Sequence, residues 1–426
     1  MKPINQERSN GIRVLSLPQD RFTTAHITVA FALPRHADTV AANALVPFML
    51  RRRSAAYPDM TALNRRLYEL YGAQIDGDVV GLGDTQLLVM TAEVIRDRVA
   101  LDGETPVADT AAVLRELLFR PYLIDGVFDA EDLQSEQRCM IERIRAEINE
   151  KRRYARRRCE QILCQGSAAA VPIHGTEEQV AALTAETVTA AWKRILSTAP
   201  VQVIVQGVED MEALVQALEA EFAAVGRTPA NRPVATPVEL HDLTEESEEM
   251  ELNQCKLVLG FVGGVPADDA DVPALRLMNA LLGGTAHSLL FRHVREEQSL
   301  CYYCASSYDR YKSVLMIDSG VETAMVDKAK EEILKQLTAI QNGDFSETEL
   351  EDTKRSLMTQ YGMNEDAQDV LSGWYLGQAM MGYPVESPTA AAEAFAVLTK
   401  QDMIRVARRL TLGCVYLLKP HQKEAE

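Results

Sequence analysis

No stretch of this chain is apolar enough to cross a bilayer. The longest clean hydrophobic run, residues 44–50, falls far short of the roughly 20 residues required. Residues 1–20 hold Lys2, Arg8 and Arg13 but no apolar segment of the kind that builds a secretory leader. These absences lead to the expectation of a soluble, cytoplasmic protein with no membrane partner. Positive charge is also in deficit, with 44 Lys and Arg against 62 Asp and Glu and a net charge of −18. Such a field repels nucleic acid and anionic lipid and favours cationic partners. The seven cysteines are odd in number and show no disulfide-framework spacing. Cys301 and Cys304 form one CxxC, with no second to complete a zinc knuckle. They lie in a run that reads as a strand, where positions three apart face opposite sides, so two separate buried cysteines are expected. None of the seven histidines (His26, His36, His174, His241, His287, His293 and His421) sits in HxxEH or HExxH spacing. GxGxxG, Walker A and Ser-His-Asp signatures are missing too.

What is present is an ordinary globular composition, 47% hydrophobic and 25% charged, in 426 residues. That length exceeds one ordinary core, so two or more domains are expected. The chain repeats itself. Residues 183–196 read as a capped amphipathic helix feeding the strand 201–207, and 398–410 read as another feeding 414–418. The openings match as well: strand 26–33 precedes a helix with Asn43-Ala44-Leu45, and strand 256–263 precedes one with Asn279-Ala280-Leu281. The period of about 200 residues is far above that of solenoids. Between the halves, three prolines and the acidic run Glu245-Glu-Ser-Glu-Glu read as an extended linker. The pattern predicts halves over 1–225 and 249–426 joined by 226–248. Residues 74–94 and 300–321 each read as a strand pair. Residues 129–164 read as one long helix with Leu133, Met140, Ile144 and Ile148 on a face. A helix carrying Val326, Ala329, Ile333, Leu337 and Ile340 stops near Gly343, and Ser346-x-x-Glu349 is a capping box. Helices grouped against mainly antiparallel sheets mean α+β, twice.

Two such halves resemble the insulinase, or pitrilysin-like, metallopeptidases, and the length resembles the short bacterial members that work as two-chain assemblies. The most specific piece is SLLFRHVREEQSLCYY at 288–303, which resembles that family's LF…RE…L.Y motif in its C-terminal half. Residues 136–144 resemble its later E-R-x-x-V-x-x-E-I helix. The resemblance implies a clamshell of two homologous halves. It also implies a zinc site built from two histidines at i and i+4, an intervening Glu that activates water, and a distant third ligand. Here the matching positions are Ala44, Pro47 and Phe48, with Arg143 at the third-ligand position and Glu142 beside it. Neither Ala44 nor Phe48 can ligate, Pro47 cannot act as a base, and a permanent guanidinium repels a metal. No metal and no cofactor are therefore expected.

Arg295 and Tyr302 survive. In the family, the resemblance implies, an Arg and a Tyr at these positions reach the substrate carbonyl, a fixed cation and an O–H donor for a developing oxyanion. The bland alternative is a surface arginine and a tyrosine packed in the core. The basic run 151–158 reads as an exposed helix face paired with acids, Arg51-Arg52-Arg53 as a helix C-terminus, and Gly283-Gly284 as a turn before a helix. The leading expectation is a non-catalytic subunit that lends Arg295, Tyr302 and half of a peptide chamber to an active HxxEH partner. The alternatives are a peptide-binding scaffold, perhaps homodimeric, and a self-sufficient zinc peptidase with unconventional ligands.

Overall fold

The computed structural model describes residues 3–421. Two sheets dominate it. The first has six strands in the spatial order Ile4–Glu7, Ile12–Leu17, Val201–Gln206, Thr24–Pro34, Thr85–Ile95, Gln74–Leu82. The second has five, in the order Cys301–Asp309, Val314–Val321, Cys255–Val262, Thr411–Pro420, Thr244–Met250. Read from the hairpin end, the pairings coincide. In each sheet the first three ladders are antiparallel and the fourth is parallel, Ile12–Leu17 with Val201–Gln206 and Thr411–Pro420 with Thr244–Met250; the first sheet adds the antiparallel ladder of Ile4–Glu7 on Ile12–Leu17. This correspondence is the repeat seen in the sequence, and it fixes the class as α+β with antiparallel-rich sheets. The acidic run Glu245–Glu249 is paired chain, the last strand of its sheet, and the stretch before it without helix or strand is 227–243.

The repeated helix starts have one physical cause. Thr184 and Thr399 each accept from the backbone N–H three residues on, and each N3 side chain, Thr187 or Asp402, reaches back to the cap. Such a cap is worth about 0.5–2 kcal/mol. The helix Ala185–Thr198 then buries Val188, Ala191, Trp192 and Ile195, while Lys400–Ala407 buries Met403, Ile404 and Val406. Trp192 donates to the Leu118 carbonyl at 2.9 Å, so its one polar atom is satisfied in the core. The expected stop at Gly343 and the Ser346–Glu349 capping box are both present.

Three local expectations are corrected. Residues 129–164 form two helices, Ala130–Asn149 and Lys151–Leu163, because Glu150 leaves the helical region at ψ 81°. Gly283 and Gly284 are not a turn but the end of a wide-turned helical segment, Ala280–Gly284. A Cβ on Gly283 would lie 2.7 Å from the Ser306 amide nitrogen, so glycine is what lets this segment approach the strand. Cys301 and Cys304 do not face opposite sides. The ladder skips Tyr302, pairing Cys301 with Val321, Tyr303 with Gly320 and Cys304 with Ser319. That bulge converts a spacing of three into one of two and puts both cysteines in the same core.

Two compact units result. The first gathers the chain up to Ile144, Val171–Val234 and Glu365–Ser387; the second gathers Arg145–Ala170, Ala235–Asn364 and the chain from Pro388 onward. In the first, one sheet face is covered by helices of the N-terminal half. On the other, Leu15, Leu87 and Ile204 pack against Leu371, Tyr375 and Met380 of the helix Gln368–Met381. In the second, Val258, Met316 and Tyr416 pack against Tyr154, Cys159 and Leu163 of Lys151–Leu163. The basic run is therefore a sheet-covering helix rather than an exposed face. Arg152 and Arg156 both pair with Asp318, which is 1% exposed, and Tyr154 donates to Glu248 at 2.8 Å. Among the described residues no helix is long and apolar enough to cross a membrane.

Candidate functional site

The helix Val40–Leu50 begins after Thr39 and carries Pro47 inside it. Ten of its eleven side chains are buried, since it is sandwiched between the sheet and the helix Ala185–Thr198. Ala44 is fully buried and Phe48 nearly so. Pro47 lies so close to the edge strand that a Cβ on Gly77 would sit 2.8 Å from the Pro47 carbonyl oxygen. Asn43 donates to Gln86 at 3.1 Å and accepts from Arg194, a polar anchor inside an otherwise apolar face. The three arginines that close the helix hold other elements. Arg51 pairs with Asp76 at 2.8 Å, Arg52 with Asp132 and Glu136, and Arg53 with Asp129 and Asp132. Burial opposes the charge on Arg52 and Arg53, but these carboxylates outweigh it and hold both pKa values above the ordinary arginine value.

The helix Ala130–Asn149 brings Arg143 to this place. Its guanidinium carbon stands 4.6 Å from the Phe48 ring centroid, with Asp78 at 3.7 Å. A methyl group, a pyrrolidine, a phenyl ring and a cation thus occupy the positions matched to ligands and base. This set does not fit zinc, which requires imidazole, thiolate or carboxylate donors. Among the described residues no group of three His, Cys, Asp or Glu side chains is arranged to hold a metal.

The second constellation lies in the C-terminal half. Leu290–Glu297 is a wide-turned helical segment whose buried residues are Leu290 and Val294. Arg295 points away from that core, 4.7 Å over the Phe291 ring and 3.5 Å from Glu296. Tyr302 is the residue skipped by the ladder, and at 60% exposure it projects outward instead of packing in the core. Its hydroxyl donates to Glu322 at 3.1 Å, and that carboxylate raises the Tyr302 pKa, so the phenol keeps its proton. Arg295 and Tyr302 share the wall of a cavity of about 410 Å³ with Glu296, Ser299, Leu300, Cys301, Glu322 and Met325. The site thus offers a fixed cation and a protonated phenol. Sequence reasoning did not find Glu322 or Cys301 here. Glu322 is placed by hairpin register, and Cys301 by a bulge that periodicity does not reveal.

Residues 182–357 match the Peptidase M16 inactive domain. Over 424 residues the chain is 29% identical to the probable inactive metalloprotease YmfF of Bacillus subtilis (strain 168), covering 98% of this chain and 99% of that protein. It is 27% identical over 195 residues to the uncharacterized zinc protease YmxG of the same organism, covering 44% and 45% of the two chains. A conserved protein from Enterococcus faecalis V583 shares the fold with a TM-score of 0.90 at 24% identity, over 99% and 100% of the two chains. A peptidase M16 inactive domain from Pseudomonas fluorescens shares it at 0.81 and 17% identity, over the full length of both. The chain is thus similar to the inactive kind of M16 metalloprotease, over residues 182–357 in the family model and over nearly its whole length in the relative named inactive.

Proposed function

We propose that the chain is the non-catalytic subunit of a two-chain insulinase-like peptidase of the bacterial cytoplasm. It would lend Arg295 and Tyr302, with its half of a peptide-binding chamber, to a partner that carries HxxEH and zinc. The observation that carries this reading is the asymmetry between the two constellations. The place matched to the zinc site holds Ala44, Pro47 and Phe48 on one helix and Arg143 on another, side chains that fit no metal. The Arg295 and Tyr302 side chains instead line one cavity, with the tyrosine outside the core. Tyr302 exposed at 60% gains nothing from packing, whereas a donor for a developing oxyanion must stand clear of the core. That one organism has a relative named as inactive and another named as a zinc protease supports pairing of unlike subunits.

The test is co-expression with an HxxEH homologue, followed by size exclusion and peptide cleavage. Arg295→Ala or Tyr302→Phe should leave the complex assembled and lower turnover on the order of 10²–10³. Unchanged turnover per assembled complex would remove the basis for the role in trans.

A further inference from the structure

Cys301 is among the residues that line the cavity holding Arg295 and Tyr302, and Cys304 shares its core without lining that cavity. The bulge at Tyr302 makes these cysteines neighbours on one face, occupying ladder positions opposite Val321 and Ser319. Two strand positions are separated by about 6.6 Å at roughly 3.3 Å per residue. That is inside the upper limit of about 6.8 Å between the Cα atoms of a disulfide. Without the bulge, three positions would span about 10 Å and the side chains would diverge.

From this geometry we propose that Cys301 and Cys304 form a thiol–disulfide exchange site, oxidised by low-molecular-weight disulfides that enter through the cavity. Cys301 takes the role of attacking sulfur because it belongs to the cavity lining and Cys304 does not. The surroundings suit that order. The Cys304 S–H donates to Cys301, the Ser319 hydroxyl lies beside both sulfurs and the Arg295 cation is near, so Cys301 is lowered to about 7. Cys304 is raised well above the ordinary thiol value by its hydrogen bond to Cys301 and by burial. It therefore keeps its proton until Cys301 has reacted.

The balance is simple. The Cys301 thiolate attacks one sulfur of the external disulfide. The external S–S bond breaks, one external thiolate leaves and a mixed disulfide forms on Cys301. Cys304 gives up its proton and attacks the Cys301 sulfur, expelling the second external thiolate. Two electrons pass from the chain to the external disulfide, and the two thiol protons end on the two released thiols. The internal disulfide spans Tyr302, so it ties the bulge that holds this residue outward. Any effect on catalysis rests on the function proposed above; the exchange itself does not.

The experiment uses the full chain with the exposed Cys139 replaced by serine, incubated under native conditions with glutathione disulfide. The mass should fall by two hydrogens, peptide mapping should join Cys301 to Cys304, and a thiol reductant should reverse both. Adding Cys304→Ser should trap one glutathione on Cys301, because the resolving sulfur is gone. Adding Cys301→Ser instead should leave the chain without adduct or disulfide. The proposal is overturned if glutathione disulfide leaves Cys301 a free thiol in both the Cys139→Ser chain and the Cys304→Ser variant. It is equally overturned if the adduct persists on Cys301 while Cys304 is present. Melting temperatures measured on each variant separate failure to react from failure to fold.

Discussion

The guanidinium of Arg143 stacks on the ring of Phe48, 4.6 Å from its centroid. The two residues sit on different helices, at positions that the family resemblance assigns to a zinc ligand and to the distant third ligand. A cation on an aromatic face needs no metal between them. The purified chain is therefore expected to carry no stoichiometric zinc. Arg143→Ala should lower stability by only about 0.5–1 kcal/mol, as befits a partly exposed contact of this kind. Elemental analysis near one zinc per chain, abolished by replacing any single histidine, would contradict the reading of this helix.

A second expectation concerns Asp318, which is buried in the strand Val314–Val321 and holds Arg152 and Arg156. Removing the carboxylate leaves two cations on the sheet without their counter-charge. Breaking a buried pair costs about 3–5 kcal/mol. Arg152 remains 45% exposed and water screens it, so Asp318→Ala should cost about 2–4 kcal/mol. Arg156→Ala should cost less, since Arg152 still pairs with the acid. Urea melts of the two variants test the order. Equal, negligible losses would mean that the pair does not hold the helix Lys151–Leu163 to its sheet.

How much of this was legible beforehand depends on whether the signal was local. The repeat was visible because Leu183-Thr184 and Leu398-Thr399 each place a capping threonine before an amphipathic helix, a pattern written in adjacent residues. A search for HxxEH is equally local, since that motif occupies five consecutive positions. The break at Glu150 was not, because glutamate is a good helix former and only tertiary packing sends Lys151–Leu163 to another sheet. The bulge at Tyr302 was equally hidden. Strand periodicity assumes one residue per rung, and nothing in the Cys301 to Cys304 segment announces the skipped one. Asp318 reads in sequence as a polar residue in an apolar strand, and its partners lie more than 160 residues away.

His26 gives a pH dependence with a definite sign. It is 5% exposed, its Nδ1 has no hydrogen-bond partner, and burial lowers its pKa despite the opposing charges of Glu93 and Asp369. As pH falls, the unfolded chain takes up this proton before the folded chain does. The stability of neutral, folded His26 is therefore complete above the ordinary histidine value of about 6.5 and declines below it. One such proton changes stability by at most about 1.4 kcal/mol per pH unit. His26→Gln should flatten the stability profile below about pH 6.5 while leaving the region above it parallel to the parent. A variant profile that keeps the parent's slope below that pH would assign the effect to other groups.

The last expectation is a cleavage that does not separate its products. Residues 227–241 have no regular structure, and Leu240 and Leu243 are about half exposed. Exposed, irregular backbone is where proteases cut first, so brief chymotrypsin treatment should nick the chain near these leucines. Two contiguous domains would then part in native buffer. Here the helix Gln368–Met381, on the C-terminal side of the cut, belongs to the core of the first unit. Leu371, Tyr375 and Met380 pack on Leu15, Leu87 and Ile204, and Gln206 donates to Ser372 at 2.6 Å. Burying an aliphatic or aromatic side chain contributes about 1.5–3 kcal/mol, and several are buried at once. The nicked fragments should co-elute on size exclusion and part only in denaturant. Replacing Leu371 and Met380 by alanine should weaken that association, at a cost of about 2–5 kcal/mol for each large-to-small change. Separation of the unmodified fragments in native buffer would show that this helix does not hold the first unit's sheet.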